Sequence, residues 1–229
     1  VAKENGKNLK EAEGDILKVK EPVEVACGAP TIMMGESLMN VTNGYDTTLY
    51  REPLGVFAGI APFNFPAMIP MGWMMPMCIA TGNTLVLKAA SMTPMTSMKM
   101  MKLLEEAGLP AGVVNIVTCS RKESEIFLSH PDIKGITLVG STSTGLHIYG
   151  EAAKHGKRVQ CLCEAKNHAL VLEDAPIART AAGIINSSFG CAGERCMALP
   201  VVVVQESIAD ALVEEIVKQV KTKKVGPAY

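Results

Sequence analysis

A thiol that attacks a carbonyl does so as a thiolate, and a neighbouring cation or helix N-terminus lowers its pKa toward that form. The run GCAGERCMALP, Gly190–Pro200, provides such a setting. Cys196 directly follows Arg195, and the small residues Gly190, Ala192 and Gly193 let backbone approach a substrate closely. Cys196 is therefore the candidate nucleophile. The competing reading is a structural cysteine beside an arginine, because cysteine is among the most buried residue types.

Two further segments carry groups that such chemistry needs. Asn64 sits in Pro62-Phe63-Asn64-Phe65-Pro66, just after a strand-like run. A side-chain amide held there can donate to the oxyanion of a thiohemiacetal; otherwise Asn64 is an ordinary asparagine of a Pro-bounded turn. Gly135–Val139, an apolar strand candidate, ends in GSTSTG, Gly140–Gly145, which opens a helix. Backbone donors and a helix dipole at such a turn receive phosphate. The same residues also describe an ordinary strand-to-helix turn with Ser141 as N-cap.

The elements that must position these groups alternate. Apolar runs at Leu54–Ala61, Thr84–Lys88, Val113–Cys119, Gly135–Val139 and Ala169–Leu172 are separated by helical patterns, clearest at Thr96–Ala107, Thr144–His155 and Ile208–Lys221. That order predicts an α/β fold with a parallel sheet, and short loops at the strand ends carry the chemistry. The Met-rich run Phe57–Ala80 is broken by Pro62, Pro66, Pro70 and Pro76 and would strand Asn64 in lipid, so it reads as strand, turn and buried helix, not as a membrane span.

Composition excludes several classes. A chain of 229 residues with 48% hydrophobic content buries a substantial core, in one or two domains. Lys plus Arg number 22 against 23 Asp plus Glu, so no basic field draws it to nucleic acid. Seven scattered cysteines without a CxxC framework favour a reducing compartment over disulfides. The histidines His130, His147, His155 and His168 lack zinc spacing, so no metal is assigned. The chain opens on Val1 and a polar helical pattern, without a leader, which reads as a fragment or a processed product.

The Asn of a Pro-Phe-Asn-Phe-Pro segment, a strand-end Lys, a Gly-Ser turn and the Cys, in this order, resemble the aldehyde dehydrogenase superfamily. GIAPFNFPAMIP, HPDIKGITLVGST, HGKRVQ, AKNHALV and AGERCMAL narrow the resemblance to its CoA-acylating methylmalonate-semialdehyde dehydrogenase branch, over nearly the whole chain. The resemblance implies a Rossmann-like parallel sheet in an NAD-binding domain over residues 1–160, then the start of a catalytic α/β domain over 161–229, both incomplete. It implies NAD held by Ala61, Phe63, Lys88, Ser91, Gly140 and Ser141, with Lys88 on the adenosine ribose and Ser141 on the pyrophosphate. It implies catalysis by Cys196 and Asn64, and a substrate carboxylate held by Arg195 and by Lys18, where the family has a second arginine.

Three departures bear on that expectation. Lys88-Ala89-Ala90-Ser91 replaces the family's Lys-Pro-Ser-Glu, losing an acid that helps hold the ribose. Leu162 falls where hydrolytic members carry a glutamate base. Without that base, water attacks the acyl-enzyme slowly and the CoA thiolate becomes the acceptor. Glu164, two residues on and pointing the same way in an extended segment, is the alternative base, or else crowds the site. Gly72 reads as an extra residue, turning the downstream helix face by about 100° unless a bulge absorbs it.

The implied reaction oxidises methylmalonate or malonate semialdehyde and releases propionyl-CoA or acetyl-CoA. The implied assembly is a homo-tetramer and the implied compartment the mitochondrial matrix. Two alternatives stand beside it: a catalytically dead truncated paralogue that binds NAD or a full-length subunit, and a hydrolytic aldehyde dehydrogenase that uses Glu164.

Overall fold

The computed structural model describes residues 1–226. It begins with α1 (Ala2–Asn5), the long α2 (Leu9–Cys27), α3 (Ala29–Ile32) and the antiparallel hairpin β1 (Ser37–Thr42) and β2 (Tyr45–Thr48). Then come β3 (Val56–Ile60), a π-helical segment Met68–Met74, α4 (Met75–Ala80), β4 (Thr84–Lys88), α5 (Pro94–Glu106), β5 (Val114–Val117), α6 (Arg121–Ser124) and α7 (Ile126–Ser129). After these follow β6 (Ile133–Val139), α8 (Thr142–Lys154), β7 (Arg158–Leu162), β8 (His168–Val171), α9 (Ile177–Phe189), a 3-10 turn Gly190–Gly193, β9 (Val201–Val204) and α10 (Glu206–Val220).

Val, Ile and Leu dominate β3 to β6 because a parallel sheet is covered on both faces. The sheet is five-stranded, in the order β5-β4-β3-β6-β7, and every pairing is parallel. One face packs on the π-helical segment and α4 through Phe65, Ile69, Met71, Met74, Leu85 and Leu87. The other packs on α7 and α8 through Ala58, Phe127, Ile136, Leu138, Ile148 and Ala152. A Cβ on Gly135 of β6 would meet the Phe57 ring at 2.2 Å, so the missing side chain is what lets that ring lie across the strand. The chain runs outward from β3 through β4 to β5 and then returns to β6 on the other side. Strand order therefore reverses between β3 and β6, and a crevice outside their carboxyl ends is where such sheets bind ligands.

The π-helical segment resolves the expectation about Gly72. A π turn closes i to i+5 hydrogen bonds and so holds one residue more than an α turn, which lets an extra residue sit in the helix without turning its downstream face. Asp15 of α2, itself buried, accepts the Met68 N–H at 2.8 Å, satisfying one of the donors that a helix start leaves open. Pro22, inside α2, has no N–H to give the Lys18 carbonyl four residues back.

The chain divides into two compact units. The first comprises Val1, Lys3–Asn5 and Ala12–Cys163; the second comprises Ala2, Gly6–Glu11 and the chain from Glu164 onward. In the second unit β8 and β9 pair in parallel, and Val171, Ala181, Ile184 and Leu212 form its core with α9 and α10. Among the described residues, no helix is long and apolar enough to cross a membrane.

Candidate active site

In the first unit, the candidate oxyanion donor sits on a fixed turn. Ala61 extends the ladder beyond β3 by donating its N–H to the Lys88 carbonyl at 3.0 Å. The Phe63 carbonyl accepts from Asn5 Nδ2 at 3.1 Å and from Thr93 Oγ1 at 3.3 Å, which fixes the peptide entering Asn64. Ser97 Oγ, fully buried, donates to the Pro66 carbonyl at 3.1 Å and secures the far end. Asn64 is half-buried and Phe65 buried. The sequence pointed to Asn64 but not to Asn5 or Thr93, whose partner lies 58 and 30 residues away in the chain.

The Gly-Ser turn closes the switch-point crevice. The Gly140 N–H donates to the Leu162 carbonyl at 3.1 Å, prolonging the β6–β7 ladder by one bond. Ser141 is the N-cap of α8: its Oγ accepts from the Thr144 N–H at 3.4 Å and donates to Thr144 Oγ1 at 2.9 Å. The positive end of this 13-residue helix opens at the carboxyl ends of the central strands. Lys88 lines a cleft of about 80 Å³ there with Ile60, Arg121, Glu125, Thr144 and His147. Ser91 lies exposed in the turn after β4. Phosphate donors at the start of α8 and a cation at the end of β4 are the groups a dinucleotide would need in this crevice, and Ser91 supplies a hydroxyl in place of an acid.

In the second unit, Cys196 is half-buried on a turn closed by the Ala198 N–H donating to the Arg195 carbonyl at 2.9 Å. Asn167 Nδ2 donates to the carbonyls of Cys196 at 2.9 Å and Ala198 at 2.8 Å, clamping the backbone on both sides of Met197. Ser188 Oγ donates to the Leu199 carbonyl at 2.7 Å. Asn167 positions this turn from 29 residues away, a separation at which no local sequence pattern marks it.

The Arg195 guanidinium has two partners within the chain. Its Nε donates to Cys191 Sγ at 3.2 Å and its Nη2 to Glu11 Oε1 at 2.8 Å. The same Glu11 oxygen accepts the Cys191 N–H at 2.9 Å. The sulfur contact first, and then Glu11, raise the guanidinium pKa further above its already high value. A Cβ on Gly190 would lie 2.7 Å from Arg195 Cζ, so glycine is required for the guanidinium to lie there. Cys191 and Ala192 both have positive φ, 50° and 55°, a conformation costing about 1–2 kcal/mol for each such residue. Glu11 and Arg195 hold this turn.

The remaining candidates are on the surface. Lys18 Nζ reaches Glu21 at 2.7 Å with its side chain 57% exposed. Leu162 ends β7, and Glu164 is exposed in the connection to β8. All seven cysteines are free thiols. Among the described residues, no group of three or more His, Cys, Asp or Glu gathers to hold a metal.

The model of the Aldehyde dehydrogenase family matches residues 1–229. Malonate-semialdehyde dehydrogenases of Lacticaseibacillus casei and Geobacillus thermodenitrificans are 49% and 50% identical over 226 residues, 99% of this chain and 46% of theirs. A Sinorhizobium meliloti protein assigned as a methylmalonate-semialdehyde dehydrogenase and solved in complex with NAD superposes with a TM-score of 0.96. It is 40% identical, and the match covers 99% of this chain and 46% of that one. The methylmalonate-semialdehyde dehydrogenase of Oceanimonas doudoroffii gives a TM-score of 0.95 at 42% identity, covering 98% of this chain and 46% of that one. The chain thus spans about half the length of the relatives it matches. These relatives are bacterial, which overturns the mitochondrial expectation: it came from the resemblance alone, with no targeting residues behind it.

Proposed function

Because the chain belongs to the aldehyde dehydrogenase family, we propose that it carries part of the machinery for oxidising methylmalonate or malonate semialdehyde through a thioester on Cys196. The observation that carries this reading is the Cys196 turn itself, half-buried and clamped by Asn167, in a chain of this family. In this reading residues 1–160 form the dinucleotide-binding domain and 161–229 the first part of the catalytic domain.

The Cys196 thiolate adds to the aldehyde carbon, and the oxygen becomes an oxyanion for which Asn64 Nδ2 and the Cys196 N–H are the assigned donors. NAD would supply the hydride acceptor when bound; Lys88 and Ser91 would hold its adenosine ribose, Gly140 and Ser141 its pyrophosphate, and Ala61 and Phe63 would line it at the β3 end. With Leu162 rather than an acid at the base position, the CoA thiolate displaces Cys196, which leaves as thiolate again. For a substrate whose carboxylate is carried on the α-carbon of the thioester, the carboxylate leaves as CO2 and the thioester enolate left behind takes up a proton before acyl transfer. Arg195 and Lys18 are assigned to that carboxylate while it is present, and for Arg195 the substrate competes with Glu11. A homo-oligomer, tetrameric as in the family, belongs to the same reading.

A single-turnover experiment tests it. The chain is mixed with NAD and methylmalonate semialdehyde, and CoA follows. A burst of NADH that Cys196→Ala abolishes and CoA converts into turnover is expected. Release of free acid at the same rate without CoA would assign the base to Glu164 instead.

One observation favours a second reading, a nucleotide-binding paralogue without catalysis. Both proposed carboxylate binders already have carboxylate partners, Arg195 with Glu11 and Lys18 with Glu21. Nucleotide binding without any burst is its signature.

A further inference from the structure

Two thiols of the first unit converge on one point. Cys161 of β7 and Cys163, just past its end, are two apart in extended chain, so their side chains leave the same face. Both meet Gly145 in the first turns of α8. The Cys161 Sγ donates to the Gly145 carbonyl at 3.5 Å. A Cβ on Gly145 would lie 2.3 Å from Cys163 Sγ and 3.5 Å from Cys161 Cβ. Both cysteines are half-buried free thiols, at the end of a strand that forms one edge of the five-stranded sheet. Their spacing is local and visible in the sequence, but the shared contact with Gly145 depends on where α8 lies against β7.

Bridging such a pair needs a small movement. Cα atoms two residues apart in a strand are about 6.7 Å apart, at the upper end of the roughly 4.4–6.8 Å that a disulfide spans. Closure therefore draws the two Cα atoms together and puckers the residue between them, Leu162. Cys163 lies beyond the β6–β7 ladder, whose last pair is Val139 and Leu162, so it is the end that moves. A bridge strained in this way belongs to the labile, readily reduced class. The Leu162 carbonyl accepts the Gly140 N–H at 3.1 Å, so the puckered residue is the one that anchors the Gly-Ser turn.

We propose that Cys161 and Cys163 form a reversible-oxidation site for small-molecule disulfides, and that closing their bridge withdraws the Leu162 carbonyl from Gly140 and loosens the turn at the start of α8. Cys163 makes the first attack, because burial, and then Cys163 itself, push the Cys161 thiol up and leave it the poorer nucleophile. That attack forms a mixed disulfide and expels one half of the oxidant; Cys161 then displaces the other half. Two protein thiols become one S–S bond, and the oxidant is reduced to two thiols, which take up the two protons. The consequence for nucleotide affinity rests on the reading of residues 1–160 as the dinucleotide-binding domain; the bridge and the Gly140 bond do not.

The test equilibrates the full chain in a series of reduced and oxidised glutathione mixtures, alkylates it with iodoacetamide and weighs the tryptic peptides. Residues 159–166 form one such peptide, which holds both cysteines and no other. The expected result is conversion of the doubly alkylated peptide into an unalkylated one lighter than the dithiol by two hydrogens, reversed by dithiothreitol. Cys161→Ala is expected to trap glutathione on Cys163. Hydrogen exchange at Gly140 is expected to quicken in the oxidised parent but not in Cys161→Ala/Cys163→Ala, which keeps the other thiols and whose fold circular dichroism checks. NAD affinity is expected to fall by about two- to ten-fold on oxidation of the parent, the equivalent of one hydrogen bond. A peptide that stays doubly alkylated, or carries glutathione on each cysteine, overturns the site. A bridge that leaves exchange at Gly140 unchanged, or NAD bound as tightly as before, overturns its link to the turn. NAD binding absent in both states, with the bridge formed and exchange quickened, overturns the nucleotide reading and leaves this inference standing.

Discussion

Gly72 lies flush against the backbone of Val19: a Cβ built on the glycine would come within 3.1 Å of the Val19 Cα and 3.3 Å of the Lys18 carbonyl oxygen. Pro22 explains the second contact. It leaves the Lys18 carbonyl without its helical donor, and the π-helical segment passes beside that same turn of α2. Gly72→Ala sets two effects against each other. Alanine regains up to about 1 kcal/mol of helix propensity. Overpacking against backbone, which cannot rotate aside as a side chain can, costs about 1–3 kcal/mol. A net loss of stability in urea unfolding is expected, and a stabilised variant would show that the two segments part easily.

The strands were legible because parallel strands covered on both faces are written as plain apolar runs. Thr84–Lys88 coincides with β4, and Leu54–Ala61 and Gly135–Val139 overlap β3 and β6. The edge strand β7 was not, because Arg158–Leu162 sets polar Arg158 and Gln160 between its apolar residues and its exposed positions dilute the signal. The β1–β2 hairpin escaped notice too, since every residue of both strands is exposed. The Ser141 turn and the Cys196 run were visible as local patterns. The partners that hold Cys196 and Arg195 were not: Asn167 and Glu11 meet them across 29 and 184 positions, and no local spacing encodes that.

Asn167 clamps the Cys196 turn through two donated hydrogen bonds, and only an amide can make both. In Asn167→Asp the carboxylate faces two carbonyl oxygens with nothing to donate. The loss is expected to be about 1–3 kcal/mol, as for groups left without partners. Urea unfolding at pH 8 measures it. An aspartate variant as stable as the parent would remove Asn167 from its positioning role.

Glu11 holds a turn that its own backbone disfavours, with Cys191, Ala192 and Gly193 all at positive φ. Its ion pair with Arg195 is partly exposed, and on its own such a pair is worth about 1 kcal/mol or less. The accompanying bond to the Cys191 N–H restrains the strain locally. Glu11→Ala is therefore expected to change global stability little but to speed hydrogen exchange at residues 191–193 well beyond that of α9. Unchanged exchange there would mean that the turn is held by Arg195 and Cys191 alone.

Gly145, in the first turns of α8, faces the end of β7: a Cβ there would sit 2.3 Å from Cys163 Sγ and 3.5 Å from Cys161 Cβ. Gly145→Ala forces the sulfur to move, and Cys163→Ala removes the atom it meets. The two substitutions should therefore couple. The double variant is expected to recover part of the stability lost by Gly145→Ala, with an interaction energy of about 0.5–3 kcal/mol in a double-mutant cycle. Additive effects would place the strain elsewhere in the turn, not at this sulfur.

Cys78 titrates late. Burial against the sheet pushes its thiol up from about 9 to about 11, and its Sγ donates to the Thr84 carbonyl at 3.7 Å. The neutral form is the one the fold accommodates. Below the unfolded-state pKa both states hold the proton, and the contribution of Cys78 to stability is constant. Between about 9 and about 11 the unfolded chain has released its proton while the folded chain keeps it, so the unfolded state binds fewer protons and stability falls as pH rises through that window. Urea midpoints measured from pH 8 to pH 11 are expected to decline more steeply in the parent than in Cys78→Ala, whose side chain does not titrate. Parallel declines would show that Cys78 is already ionised, or solvated, in the folded protein.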